Sequence, residues 1–216
     1  GVVTDSGTLA ITGATTISAS GQDITLDEAV STFGTLALTG SNVAVTENAA
    51  MDLGASTIGG TANFNSTSNV ITDSGTLAIT GATTINAGTA DITLDQAAST
   101  FGALALTGAN VAVTENAATD LAASTVSGTL GVTSTGAVTD SGTLAITGAT
   151  TISASGQDIT LDEAASTFGT LALTGANVAV TENAATDLGA STVSGTFGIT
   201  SGGAITDSGT QTITGA

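Results

Sequence analysis

Eighteen carboxylates are the only side chains in this chain with strong acid–base or metal-binding chemistry, because its 216 residues include no Lys, Arg, His or Cys and its formal net charge is −18. Their spacing is regular. Glu28 in DITLDE and Glu47 in NVAVTEN fall at the same place in two successive, alignable segments, and Glu163 and Glu182 repeat the relation. If such segments stack as neighbouring strands, the paired side chains emerge about 4.8 Å apart. Two like charges at that separation repel by roughly 1 kcal/mol even at the dielectric of bulk water. No cation in the chain can relieve this, so relief must come from water, hydrogen bonds or a metal ion. Ca²⁺ suits an all-oxygen donor set, and Asp27, Asn48 and nearby main-chain carbonyls add to it. Glu28, Glu47, Glu163 and Glu182 are therefore candidate Ca²⁺ ligands, set against the plainer reading of solvated carboxylates on a corner. In the middle copy Gln96 stands opposite Glu115, which lowers the charge and weakens the case for a regular site.

Most other site chemistry is missing. Without His or Cys there is no Ser-His-Asp or Cys-His nucleophile and no common zinc site. Paired carboxylates can hydrolyse glycosides, but that takes one unique pair in a cleft, and every acid here belongs to a recurring set. The chain reads as no enzyme, with no cofactor beyond the Ca²⁺ in question. Nucleic acid and anionic membrane surfaces are both held largely through Lys and Arg, so neither is an expected partner. No run of about 18 apolar residues is present, so no segment reads as membrane-inserted.

What positions the acids is a repeat. TDSGTLAITGATTI occurs unchanged at 4–17, 72–85 and 139–152 and restarts as TDSGTQTITGA at 206, which sets units 4–71, 72–138 and 139–205 and a partial unit 206–216. The whole of 1–216 reads as a single repetitive segment that opens mid-unit, an excerpt of a longer chain. Within the first unit four pieces align: 8–22, 23–41, 42–60 and 61–75. Each opens with polar and apolar residues in alternation, placing Leu9 and Ile11, Ile24 and Leu26, Val43 and Val45, Ala62 and Phe64 on one face of successive strands. Nothing recurs at helical spacing, and Thr and Gly are poor helix formers. TGA, SGQ and TDSG are turn sequences, with TDSG read as an Asx turn at a corner.

A piece of this size cannot bury its apolar face alone, but stacked on copies of itself it can. The hydrophobic share of 41%, mostly Ala, Val, Ile and Leu, is enough for such a core. The expected fold is all-β: a parallel β-solenoid, right-handed because the hexapeptide pattern of left-handed triangular helices is absent, with about twelve coils of 14–19 residues. Twelve coils make a rod roughly 58 Å long. Phe33, Phe101 and Phe168, in the longer coils, are expected to tuck inward. An antiparallel sandwich also has short strands and frequent turns, but it does not account for matched inward residues in aligned pieces.

The succession TDSGTLAITG, ATTISASGQDITLD, TLALTGSNVAVTENA and LGASTVSG resembles the repeats of large bacterial surface adhesins of the filamentous haemagglutinin and autotransporter kind. That resemblance implies a right-handed parallel β-helix, export to the cell surface or beyond, and a role as a shaft or adhesive surface facing a host or neighbouring cell. Two other roles stay open. One is a self-assembling extracellular filament in which copies stack end to end through open strand edges. The other is an ice-binding solenoid, which needs flat ranks of outward Thr and is opposed by Asp23 and Asp27 beside Thr25.

Overall fold

The computed structural model describes residues 1–215, and among these every regular element is a β-strand. All pairings are parallel, so the solenoid is the fold and the antiparallel sandwich is not. The strands form two sheets, of 13 and 15 strands, and the chain passes from one sheet to the other at each half turn. Val3–Thr4, Ile24–Leu26 and Val43–Thr46 lie in the first sheet, whereas Thr15–Ser18 and Thr35–Gly40 lie in the second. Eleven rungs are completed in this way. At the spacing of paired strands they make a rod about 50 Å long.

Inward and outward positions follow the alternation in the sequence. Ile24, Leu26, Val43, Val45, Ala62 and Phe64 are all buried, and they stack by direct register, Ile24 on Val43 on Ala62. Each fully buried aliphatic side chain contributes on the order of 1.5–3 kcal/mol, and the columns run the length of the rod. Leu9 and Ile11 face the same way but are only partly covered, because they lie in the first rung. Phe33, Phe101 and Phe168 are buried as expected.

The rungs differ from the expected pieces in length and boundaries. Registers Leu36↔Leu53, Ile24↔Val43, Met51↔Ile71 and Ala62↔Thr83 give offsets of 17 to 21 residues. Eleven rungs therefore replace twelve coils of 14–19. The error came from TDSG. Ile71–Asp73, which includes the first two residues of one copy, and Leu77–Ile79 after it lie end to end in the same sheet, so TDSG is a bend within a wall rather than the corner to a new coil.

A second consequence concerns the repeat. From Val43 to Val111, equivalent residues one unit apart, the chain changes sheets seven times. Each unit thus makes three and a half turns, and its successive copies land on opposite faces. Thr35–Gly40 is in the second sheet, its equivalent Ala103–Gly108 in the first, and Thr170–Gly175 in the second again.

Corners are closed by specific chemistry. Gly21, Gly88 and Gly156 adopt φ of 72°, 56° and 75°, a left-handed conformation that glycine reaches without Cβ strain. On exposed corners Asp23 Oδ1 accepts from Asn42 N–H at 3.0 Å, and Asn42 Oδ1 accepts from Thr61 N–H at 3.0 Å, linking three rungs. The same ladder recurs at Asp91, Asn110 and Thr129, and at Asp158, Asn177 and Thr196. The first unit is one residue longer than the others, and the extra residue lies in NSTSNV, where Thr67 and Ser68 take φ of 47° and 74°.

Candidate functional site

The expected acidic pairs divide between inside and outside. Glu47 and Glu182 are buried, 0% and 2% exposed, while Glu28 and Glu163 are half-buried in the loops that follow Leu26 and Leu161. Alternation carried one residue past Thr46 already points Glu47 inward, beneath Val45 and Val43; that parity was the signal to read. Glu28 would share the parity, but the chain turns there, with Ser31 N–H donating to the Glu28 carbonyl at 2.8 Å. The two members of each pair therefore do not emerge side by side from one face. Among the described residues no group of three or more carboxylates converges on one point.

Glu115 joins Glu47 and Glu182, so each unit has one buried glutamate in the motif TEN. The reason lies in an interrupted ladder. In the segment STF the Phe N–H points into the rod where the following rung has no strand to receive it, and a buried N–H without an acceptor is costly. The glutamate supplies the acceptor. Phe33 N–H donates to Glu47 Oε1 at 3.1 Å, Phe101 N–H to Glu115 Oε1 at 2.8 Å and Phe168 N–H to Glu182 Oε1 at 2.8 Å. Beside it a buried serine does the same for the rung before, Ser31 Oγ accepting from Leu9 N–H, Ser99 Oγ from Leu77 N–H and Ser166 Oγ from Leu144 N–H, each at 3.0 Å.

The loop ahead of this pocket is held from the other side by the aspartate of TDSG. Asp73 Oδ1 accepts from Asp95 N–H at 2.9 Å and Asp140 Oδ1 from Asp162 N–H at 2.8 Å, and Asp5 Oδ1 accepts from Asp27 N–H at 3.2 Å. The aspartate thus anchors a loop 22 residues ahead, one rung on, instead of capping its own turn as an Asx turn would.

The second oxygen distinguishes the copies. Glu182 Oε2 accepts from Thr186 Oγ1 at 2.8 Å. Glu115 faces the equivalent Thr119, yet neither Glu115 Oε2 nor Thr119 Oγ1 completes a hydrogen bond. In the first unit the equivalent residue is Met51, buried and without a donor, and Glu47 Oε2 has no partner.

Burial raises the Glu47 carboxyl to about 7, against a smaller opposing effect of the Phe33 N–H. Glu115 is also raised by burial, offset in part by the Phe101 N–H and by the nearby Thr119 hydroxyl, which stops short of a full hydrogen bond. Asp73 and Asp140 are raised for the same reason, with the loop N–H groups opposing and the neighbouring Asp95, and Asp162 with Glu163, adding to the rise.

The Glu47 pocket can take up and release a proton near neutral pH. Two of the outward acids are tied to hydroxyls, Asp52 Oδ2 accepting from Thr35 Oγ1 at 2.7 Å and Ser74 Oγ at 2.9 Å, and Asp187 Oδ2 from Thr170 Oγ1 at 3.0 Å and Ser208 Oγ at 2.8 Å, whereas the equivalent Asp120 is paired with Ala103 and has an oxygen without a partner.

No curated protein and no solved structure matches this chain. A repeat family matches it four times, at residues 1–39, 40–107, 108–174 and 175–216, with full copies of the same length as the units seen in the sequence. Since those matches cover the chain from end to end, it belongs to the family described as Repeats of unknown function (DUF5649).

Proposed function

We propose that this segment is a structural or adhesive rod of a secreted bacterial surface protein, acting outside the cell and without catalysis. The observation that carries this reading is the unbroken parallel stack, in which each unit adds three and a half rungs and nothing else. A stack of that kind supplies length, stiffness and two nearly equivalent flat faces, and its polar residues are spent on holding rung to rung. The resemblance to adhesin repeats supports the extracellular setting, where the partner would be a host or neighbouring cell surface.

Electron microscopy tests the rod. The chain should appear as discrete rods, and a version with one unit duplicated should be longer by about 17 Å, three and a half strand spacings. Unchanged length would refute the reading, and long uniform fibres would favour an end-to-end filament instead. Antibody against the chain should label intact cells of the source bacterium; labelling that requires permeabilisation would overturn the extracellular assignment. Beads coated with the chain, compared with albumin-coated beads on cultured cells, separate an adhesive surface from a plain spacer.

A further inference from the structure

We infer that a hydroxyl donor to the second oxygen of the buried glutamate, where the residue four places on supplies one, decides whether the pocket holds a carboxylate or a neutral carboxylic acid, so that Glu47, opposite Met51, holds a proton. The inference stands on a comparison that the molecule itself provides. Three pockets share the Phe N–H donor, the neighbouring serine and near-complete burial of the glutamate. Four places after the glutamate they read ENAAMDL in the first unit against ENAATDL in the second and third, and the segment of the next rung beside Glu47, NSTSN, differs as well. Where that position is Thr and its hydroxyl reaches the carboxylate, as at Thr186, both glutamate oxygens accept hydrogen bonds and a negative charge is supported on each. Where it is Met, one oxygen is buried with no partner, as it also is in Glu115, whose Thr119 hydroxyl does not complete the bond. A buried charge with half its hydrogen bonds missing is relieved by taking up a proton, which removes the charge and leaves the Phe33 bond in place.

The groups around Glu47 add no competing cation. The loop packed against it carries Asp27 and Glu28, and the strand Met51–Leu53 carries Asp52, whose carboxylate is engaged by Thr35 and Ser74. The segment 65–69 of the next rung, which bonds to Glu47 N–H through the Asn65 carbonyl, has no titratable group. All nearby charges are negative, so none of them stabilises the ionised form. The presence or absence of that hydroxyl bond therefore sets whether the Glu47 pocket holds a proton.

The test is a carboxyl-carbon NMR titration of Glu47, Glu115 and Glu182 in the parent chain, in Met51→Thr and in Thr186→Met. Both substitutions install a residue that another copy of the pocket already accommodates, and circular dichroism checks the fold. Met51→Thr should lower the Glu47 midpoint by at least one pH unit, a tenfold change in its protonation equilibrium, and Thr186→Met should raise that of Glu182 by a similar amount. The Phe33 and Phe168 amide protons should titrate in step with their glutamates. Midpoints that stay in place in both folded variants would overturn the inference; if one variant does not fold, the other decides it alone.

Discussion

Acid should make this rod more stable, and the size of the effect follows from one pocket. Glu47 is raised from an ordinary 4.5 to about 7 when the chain folds. Between those values the folded chain holds a proton that the unfolded chain has released. Stability from this group is therefore complete below the unfolded value and is lost as pH rises through the folded one. The slope is about 1.4 kcal/mol per pH unit, so the total is about 3 kcal/mol across the window. Glu115, Asp73 and Asp140 are raised in the same direction and add to the trend. Repulsion among exposed acids has the same sign, but it is screened by salt, whereas the buried contribution is not. Glu47→Gln separates the two, because an amide oxygen can keep the Phe33 bond while the titration is gone. Urea unfolding followed by circular dichroism, which suits a chain without Trp or Tyr, would be run from pH 4.5 to 7.5 in 0.5 M salt. Over that range the parent should lose about 3 kcal/mol more than the variant. Parallel stability curves for the two would refute the reasoning.

Other perturbations bear on the rungs themselves. A Cβ at Gly34 would sit 2.5 Å from the Gly13 carbonyl oxygen on the rung before, so Gly34→Ala should destabilise by about 1–3 kcal/mol, measured by the same unfolding. Asp73→Ala removes the acceptor of two loop N–H groups; hydrogen exchange at Asp95 and Gln96 should accelerate well before exchange in the core strand Ile92–Leu94 changes. With Glu47 and Glu182 turned into the rod, the melting temperature should be the same in millimolar CaCl₂ and in EDTA, whereas a rise with Ca²⁺ would support Glu28, Glu47, Glu163 and Glu182 as ligands.

The strands, their inward residues and their parallel stacking were legible in the chain because alternation and repetition are local signals. Val43, Val45 and the step to Glu47 belong to one period of two, and reading that period to its end would also have located the buried acid. The acceptor role of Glu47 was not legible. It depends on the Phe33 N–H lacking a strand neighbour, which is a relation between rungs. The same holds for TDSG: whether Asp73 caps its own turn or reaches Asp95 depends on which rung lies above it.

Residue order alone determined that this polypeptide stacks on itself with aliphatic columns inside and acids as its one source of charge. Only the tertiary structure decided that a unit closes after three and a half turns, which sends identical sequences to opposite faces. Rung length is set by where corners can close over the previous rung, by contacts such as Asn42 with Asp23 and Gly34 under Gly13. Those partners are about twenty residues apart along the chain and adjacent only in space.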